Sequence, residues 1–205
     1  MKTTNILLVL VITSFCFAAN AAAQTDNKKI PAEVQAIVGT YTGAWTLYGI
    51  NDKGEVIKQL AYTDVMKAEN PTVAADRVYV STVDAINFEG GKFPPANIPG
   101  KEGYLLNKDG SLGDYYLENS GRTIQFQKLD KDSHVYSTPA GGREFPLISD
   151  KFLSGVHVLV RTITFDHGIE THHVTRLTTV RWTGADGKEI SKQFVSLQGQ
   201  HKKSK

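Results

Sequence analysis

The chain has 205 residues, a formal charge of +2 and 40% apolar residues, enough for a substantial core without disulfide staples. So small a charge provides no concentrated basic surface for nucleic acid. The one cysteine, Cys16, falls in the N-terminal apolar run, so the rest of the chain has no disulfide, thiolate ligand or cysteine nucleophile.

Residues 1–23 follow the order of a secretory signal: Lys2, an apolar stretch over 6–19, then Ala21, Ala22 and Ala23. The apolar run is shorter than the roughly 20 residues needed to span a bilayer. Cleavage near Ala23 and release to a bacterial periplasm or exterior are therefore expected, with no stable membrane anchor afterwards. Phe15, not a small residue, precedes Cys16, which argues against lipidation. Cleavage would remove Lys2 and leave residues 24–205, read as a single domain with a formal charge of +1.

A short helix is expected from Ile30, because Ile30, Val34 and Ile37 recur at spacings of four and three, with Pro31 in the first turn and Gly39 as a stop. A strand follows directly, where Tyr41, Gly43, Trp45 and Leu47 alternate with Thr40, Thr42, Ala44 and Thr46. Further strands are expected at 56–66, 78–86, 115–117, 123–129 and 134–137, each bounded by turn residues. Three long strands close the chain at 156–165, 169–182 and 189–197, joined by tight connections that make neighbours antiparallel. Residues 87–103, with four glycines and three prolines, and residues 138–155 read as long surface loops. The basic tail 201–205 reads as a solvated end. These elements give an all-β fold, an antiparallel up-and-down barrel of about 8–10 strands with one short N-terminal helix; a sandwich is the other architecture they allow.

Gly43-Ala44-Trp45 matches the Gly-x-Trp signature that opens lipocalins and related calycin barrels, and a helix precedes it and a meander follows it as in those proteins. The chain is also similar to uncharacterised bacterial secreted proteins with a lipocalin-like domain, whose last strands carry runs like residues 171–176 and 194–199. The resemblance implies a tryptophan plug at one barrel end with a basic side chain packed across it, for which Arg176, Arg181 and Lys192 are candidates. It also implies a lumen that takes small apolar molecules, and it implies no reaction. A missing C-terminal helix and the impossibility of a disulfide depart from lipocalins proper.

The densest polar cluster runs over residues 166–173, with His157 and Arg161 on the preceding strand. Alternate strand residues share a face, so Glu170, His172, Val174 and Arg176 point one way. A three-residue turn at 166–168 would pair Phe165 with Ile169, setting His173 opposite Arg161 and Leu177 opposite His157. Glu170 and His172 are suitable zinc or iron ligands, but nothing fixes a third from His157 or His134. No metal and no cofactor are expected, and the histidines read as hydrogen-bonded groups in a half-polar lumen. Arg176 needs a partner, either Trp45, a neighbouring strand or a bound anion. Asp64 and Asp84 read as outward, solvated carboxylates. There is no Gly-x-Ser-x-Gly elbow and no phosphate-cradling glycine loop.

The expected function is an exported binder of a small apolar or amphipathic molecule, its lumen lined by Tyr41, Trp45, Leu47, His157, His172 and Arg176. Two alternatives stand beside it. One is an enzyme with His172 or His157 as general base and Arg176 holding an anionic substrate group. The other is a protein-interaction domain using strand edges or loops.

Overall fold

The computed structural model describes residues 29–204, apart from positions 52 and 92. The segment read as an export signal lies outside the described residues. Helix α1 spans Ala32–Ile37, with Pro31 before it and Val38 closing it. Its spacing puts Val34 and Ile37 on one buried face, as the sequence pattern requires.

Ten strands follow: β1 Gly39–Ile50, β2 Val56–Val73, β3 Arg77–Phe88, β4 Ala96–Leu106, β5 Leu112–Asn119, β6 Arg122–Lys128, β7 Ser133–Pro139, β8 Phe152–Asp166, β9 Ile169–Thr183 and β10 Glu189–Lys203. Each pairs antiparallel with the next and β10 pairs with β1, which closes an up-and-down barrel. Closure pairs each strand on both sides, most sparsely between β6 and β7, which share only Gln127–Val135 and Lys128–His134.

Apolar side chains close the two ends. At the end where β1 starts, Val34 and Ile37 of α1 pack on Tyr41, Met66, Ala68, Val78, Val80 and Tyr104, forming a floor. At the opposite end the β7–β8 connection folds over the β8–β9–β10–β1 side. There Phe145 and Ile148 pack with Ile50, Val180, Trp182 and Phe194 as a partial roof. Residues 138–155 are therefore part of the core and not a plain surface excursion; Phe145 and Ile148 are 3% and 1% exposed.

Three further expectations are corrected. Residues 87–103 contain most of β4. Gly100 and Glu102 interrupt the apolar alternation between Ile98 and Tyr104 on the inward side of β4, so hydrophobic patterning does not mark a strand. A Cβ at Gly103 would lie 2.0 Å from the Val78 carbonyl oxygen, so glycine there permits the close β3–β4 approach.

The β8–β9 turn has two residues, not three. His167 (φ 48°) and Gly168 (φ 77°) are both left-handed, the geometry of a type I′ hairpin. Asp166 therefore pairs with Ile169, Arg161 lies opposite Val174, and His157 lies opposite Thr178. The tail is not a free end, because β10 runs on to Lys203, with His201 paired to Gly43 and Lys203 to Tyr41. Its inward residues, Gly199, His201 and Lys203, are small or charged, so hydrophobic patterning does not mark them.

Candidate functional site

Between floor and roof lies a half-enclosed cavity of about 220 Å³. Its apolar wall includes Met66, Leu117, Ile124, Phe126, Leu159 and Leu197, and its polar wall Asp64, Asp84, Glu102, Arg161, His172 and His201. These residues sit at alternate strand positions, and bulges at Leu47/Tyr48 and Val195/Leu197 reset which positions face inward on β1 and β10.

One polar group is centred on Asp64, which is 4% exposed. Its Oδ2 accepts hydrogen bonds from Trp45 Nε1 and from His201 Nε2, both at 2.9 Å. Trp45 stacks on Tyr62, with ring centroids 6.1 Å apart, and meets His201 edge-on at 4.9 Å. Asp84 of β3 is beside this group, and Oδ1 of Asp64 and Oδ1 of Asp84 are buried without hydrogen-bond partners. Burial, and then the Asp64 charge, push the Asp84 carboxyl up to about 6. Burial opposes charge on His201, but its hydrogen bond to Asp64 and the two aspartates outweigh that and hold its pKa above the ordinary value.

The Gly-x-Trp motif has a physical reason here. A Cβ at Gly43 would stand 2.0 Å from Asp64 Oδ1, 2.5 Å from His201 Cδ2 and 2.7 Å from Trp45 Nε1. Across the pair, a Cβ at Gly199 would stand 2.2 Å from Trp45 Cε3. The missing side chains make room for the indole and the carboxylate.

The second group is centred on Arg161, which is 3% exposed. Its guanidinium lies 4.2 Å from the Tyr115 ring centroid, donates to His172 Nδ1 at 3.0 Å and reaches His134 Nδ1 at 3.5 Å. His172 Nε2 in turn donates to Glu170, and the Tyr115 hydroxyl donates to Glu102. Burial, with the Arg161 charge second, holds His134 down at about 4. Burial also lowers His172, against the pull of Glu170. Both histidines are thus neutral acceptors for the guanidinium. Among the described residues no carboxylate comes within ion-pair distance of Arg161; Glu102 and Glu170 act on it from farther away.

A third polar chain lies under the roof, outside the cavity lining. Glu144 accepts from His157 Nε2 at 2.6 Å, and His157 Nδ1 lies 2.7 Å from Thr178 Oγ1. Thr178 Oγ1 is 2.5 Å from Ser196 Oγ, to which Arg176 Nε donates at 2.7 Å. With Thr178 0% and Ser196 1% exposed, this arrangement offers no reachable nucleophile.

The residues expected to line one lumen are therefore distributed. Trp45 and His172 line the cavity. Tyr41 is in the floor, its hydroxyl donating to the Ile37 carbonyl. His157 and Arg176 belong to the chain under the roof, and Leu47 is half-buried at the β1 bulge, outside the cavity lining. No cation stacks on Trp45 among the described residues: Arg176 is engaged by Ser196, Arg181 pairs with Glu189, and Lys192 is exposed. Trp45 lines both the cavity and a neighbouring opening beside Phe88, and none of the three expected cations packs across it.

Asp64 and Asp84 face inward, against their reading as solvated groups, and His201 joins them from the segment read as tail. The signal that reveals Asp64 and Asp84 is their phase: each lies an even number of residues from an inward apolar residue, Met66 or Val80.

A closed ten-strand antiparallel barrel is consistent with the lipocalin-like fold that Gly43-Ala44-Trp45 implies. Compared with known protein families, with curated proteins and with solved structures, the chain matches none.

Proposed function

We propose that this is an exported binding protein, of the wider calycin type, whose lumen takes one compact amphipathic molecule. The observation that carries the reading is Arg161, a deeply buried guanidinium that lines the cavity without a carboxylate at ion-pair distance. A guanidinium has five N–H donors and this one reaches only two histidine acceptors among the described residues, so a strongly accepting group on a bound molecule would take up the donors left over. Asp64 and Asp84 supply acceptor oxygens on the opposite polar group, while Trp45, Tyr62 and Leu159 offer apolar contact. The cavity, about 220 Å³, is smaller than the roughly 300–1,000 Å³ of drug-sized sites, which favours a compact ligand. An enzymatic reading has less support. His172 has both ring nitrogens engaged, and His157 and Arg176 do not reach the cavity.

Native mass spectrometry of the chain purified from a bacterial periplasm, wild type beside Arg161→Met, tests this. A reproducible extra mass on the wild type, lost on denaturation and absent from the variant, is the expected result. Clean masses for both proteins, from material prepared without heat or detergent, would instead mark the cavity as a packing feature.

A further inference from the structure

Asp64 on β2, Asp84 on β3 and His201 on β10 each place one ligand-type atom within 4.8 Å of the others. This is more than a group of acids on a surface. Asp64 is 4% exposed, its Oδ2 is committed to Trp45 and His201, and its Oδ1 is buried beside Gly43 with no hydrogen-bond donor. Oδ1 of Asp84 is likewise buried and unpartnered. Buried polar atoms are nearly always satisfied, so these two oxygens call either for a proton shared between the carboxyls or for a bound cation.

Two independent features favour the cation. The backbone is thinned at this spot, because the missing Cβ of Gly43 would occupy space 2.0 Å from Asp64 Oδ1 and 2.5 Å from His201 Cδ2. The interior is also short of positive charge. Asp64, Asp84, Glu102 and Glu118 line the cavity against Arg161 and Lys101, with His201 held beside the two aspartates.

We infer that Asp64, Asp84 and His201 hold a divalent cation on the lumen wall. Two carboxylate oxygens and one imidazole nitrogen suit zinc or manganese, whereas calcium wants six to eight oxygens. The ion replaces the proton on His201 Nε2, which is released to solvent, so the Asp64–His201 hydrogen bond gives way to two metal bonds. Both free Oδ1 atoms become available as ligands. Three protein ligands leave the remaining coordination positions open toward the cavity, the arrangement of a site that also binds something else. The inference does not rest on the binding role proposed above, since it needs no organic ligand.

The test uses chelator-stripped full chain exported to the periplasm, dialysed against Zn²⁺ or Mn²⁺ and assayed for bound metal by mass spectrometry and calorimetry. One equivalent per chain is expected, with a change in Trp45 fluorescence as its neighbour Asp64 is recruited. Asp84→Asn and His201→Gln should each weaken binding at least tenfold, while His167→Asn, on the exposed hairpin turn, should leave it unchanged. Circular dichroism verifies that every variant is folded. A folded wild type that takes up neither ion at millimolar concentration would overturn the inference. So would an equivalent that survives both site substitutions. Because chelation leaves an organic ligand in place, failure here is distinguishable from failure of the binding role.

Discussion

Replacing Gly43 with alanine adds one methyl group at the point where the lumen is most crowded. The new Cβ would lie 2.0 Å from Asp64 Oδ1, 2.5 Å from His201 Cδ2 and 2.7 Å from Trp45 Nε1. All three atoms belong to side chains, so they can retreat. In doing so they give up one or both of the 2.9 Å hydrogen bonds to Asp64. A hydrogen bond to a charged acceptor contributes about 1.5–3 kcal/mol, and overpacking costs about 1–3 kcal/mol more. Against this, alanine restricts the unfolded chain and returns about 0.4–1 kcal/mol. With one of the two bonds lost the net loss should be about 1.5–5.5 kcal/mol, or a fall in Tm of about 6–12 °C for a loss near 3 kcal/mol in a chain of this size. Urea titration and thermal melting followed by circular dichroism measure it. Gly141→Ala is the control: its φ is −97°, and a Cβ there meets nothing within 4 Å. That variant should stay within about 0.5 kcal/mol of wild type, the usual range for surface substitutions. A Gly43→Ala barrel as stable as wild type, or one no worse than Gly141→Ala, would refute the crowding argument.

Arg161→Met keeps the packing on Tyr115 but takes the donor from His172 and His134, so stability in urea titration should fall by about 1–3 kcal/mol while the co-purifying mass is lost; a variant that no longer folds would make Arg161 a structural residue instead. His134 makes stability depend on pH. Its pKa is about 4 in the barrel and about 6.5 in the unfolded chain, so between these values the unfolded state binds a proton that the folded state refuses. The stabilisation is complete above about pH 6.5 and is lost as pH falls toward 4, and between pH 7 and pH 5 it amounts to about 2 kcal/mol. His134→Gln should lose that much less over the same interval, and equal losses in both proteins would show that His134 is not the source.

Legibility in the sequence followed side-chain chemistry. The strands with apolar or β-branched alternation, β1, β3, β8 and β9, were readable within a few residues, as was α1 from Val34 and Ile37. The inward face shared by Glu170, His172, Val174 and Arg176 was readable from period alone. β4 and the end of β10 turn glycine, glutamate, histidine or lysine into the lumen, so a hydrophobic pattern cannot find them, and the end of β2 beyond Met66 runs through polar residues and Pro71 at a register shift. The turn at His167-Gly168 was misjudged because histidine is an uncommon left-handed residue, and the one-residue error shifted every pair of β8 and β9. The site suffered twice over. His201 was hidden in a run of lysines, and aspartates at strand interiors are solvated more often than buried.

The division of the interior into layers explains why binding and stability should separate in this barrel. Val34, Ile37 and their neighbours seal the floor, and Phe145, Ile148, Trp182 and their neighbours seal the roof, as two distinct apolar clusters. At about 1.5–3 kcal/mol for each fully buried large apolar side chain, these two ends supply most of the burial that holds the barrel closed. The layer between them is then relieved of that duty and can carry Asp64, Asp84, Arg161, His172 and His201 at a cost the ends absorb. Within that layer the two polar groups differ. Asp64 is tied to Trp45 and thereby to β1 packing, so its loss should disturb fold and function together. Arg161 packs on an aromatic face, a contact that methionine keeps, and donates to neutral histidines, which methionine does not, so its loss should fall on what the lumen binds more than on the fold.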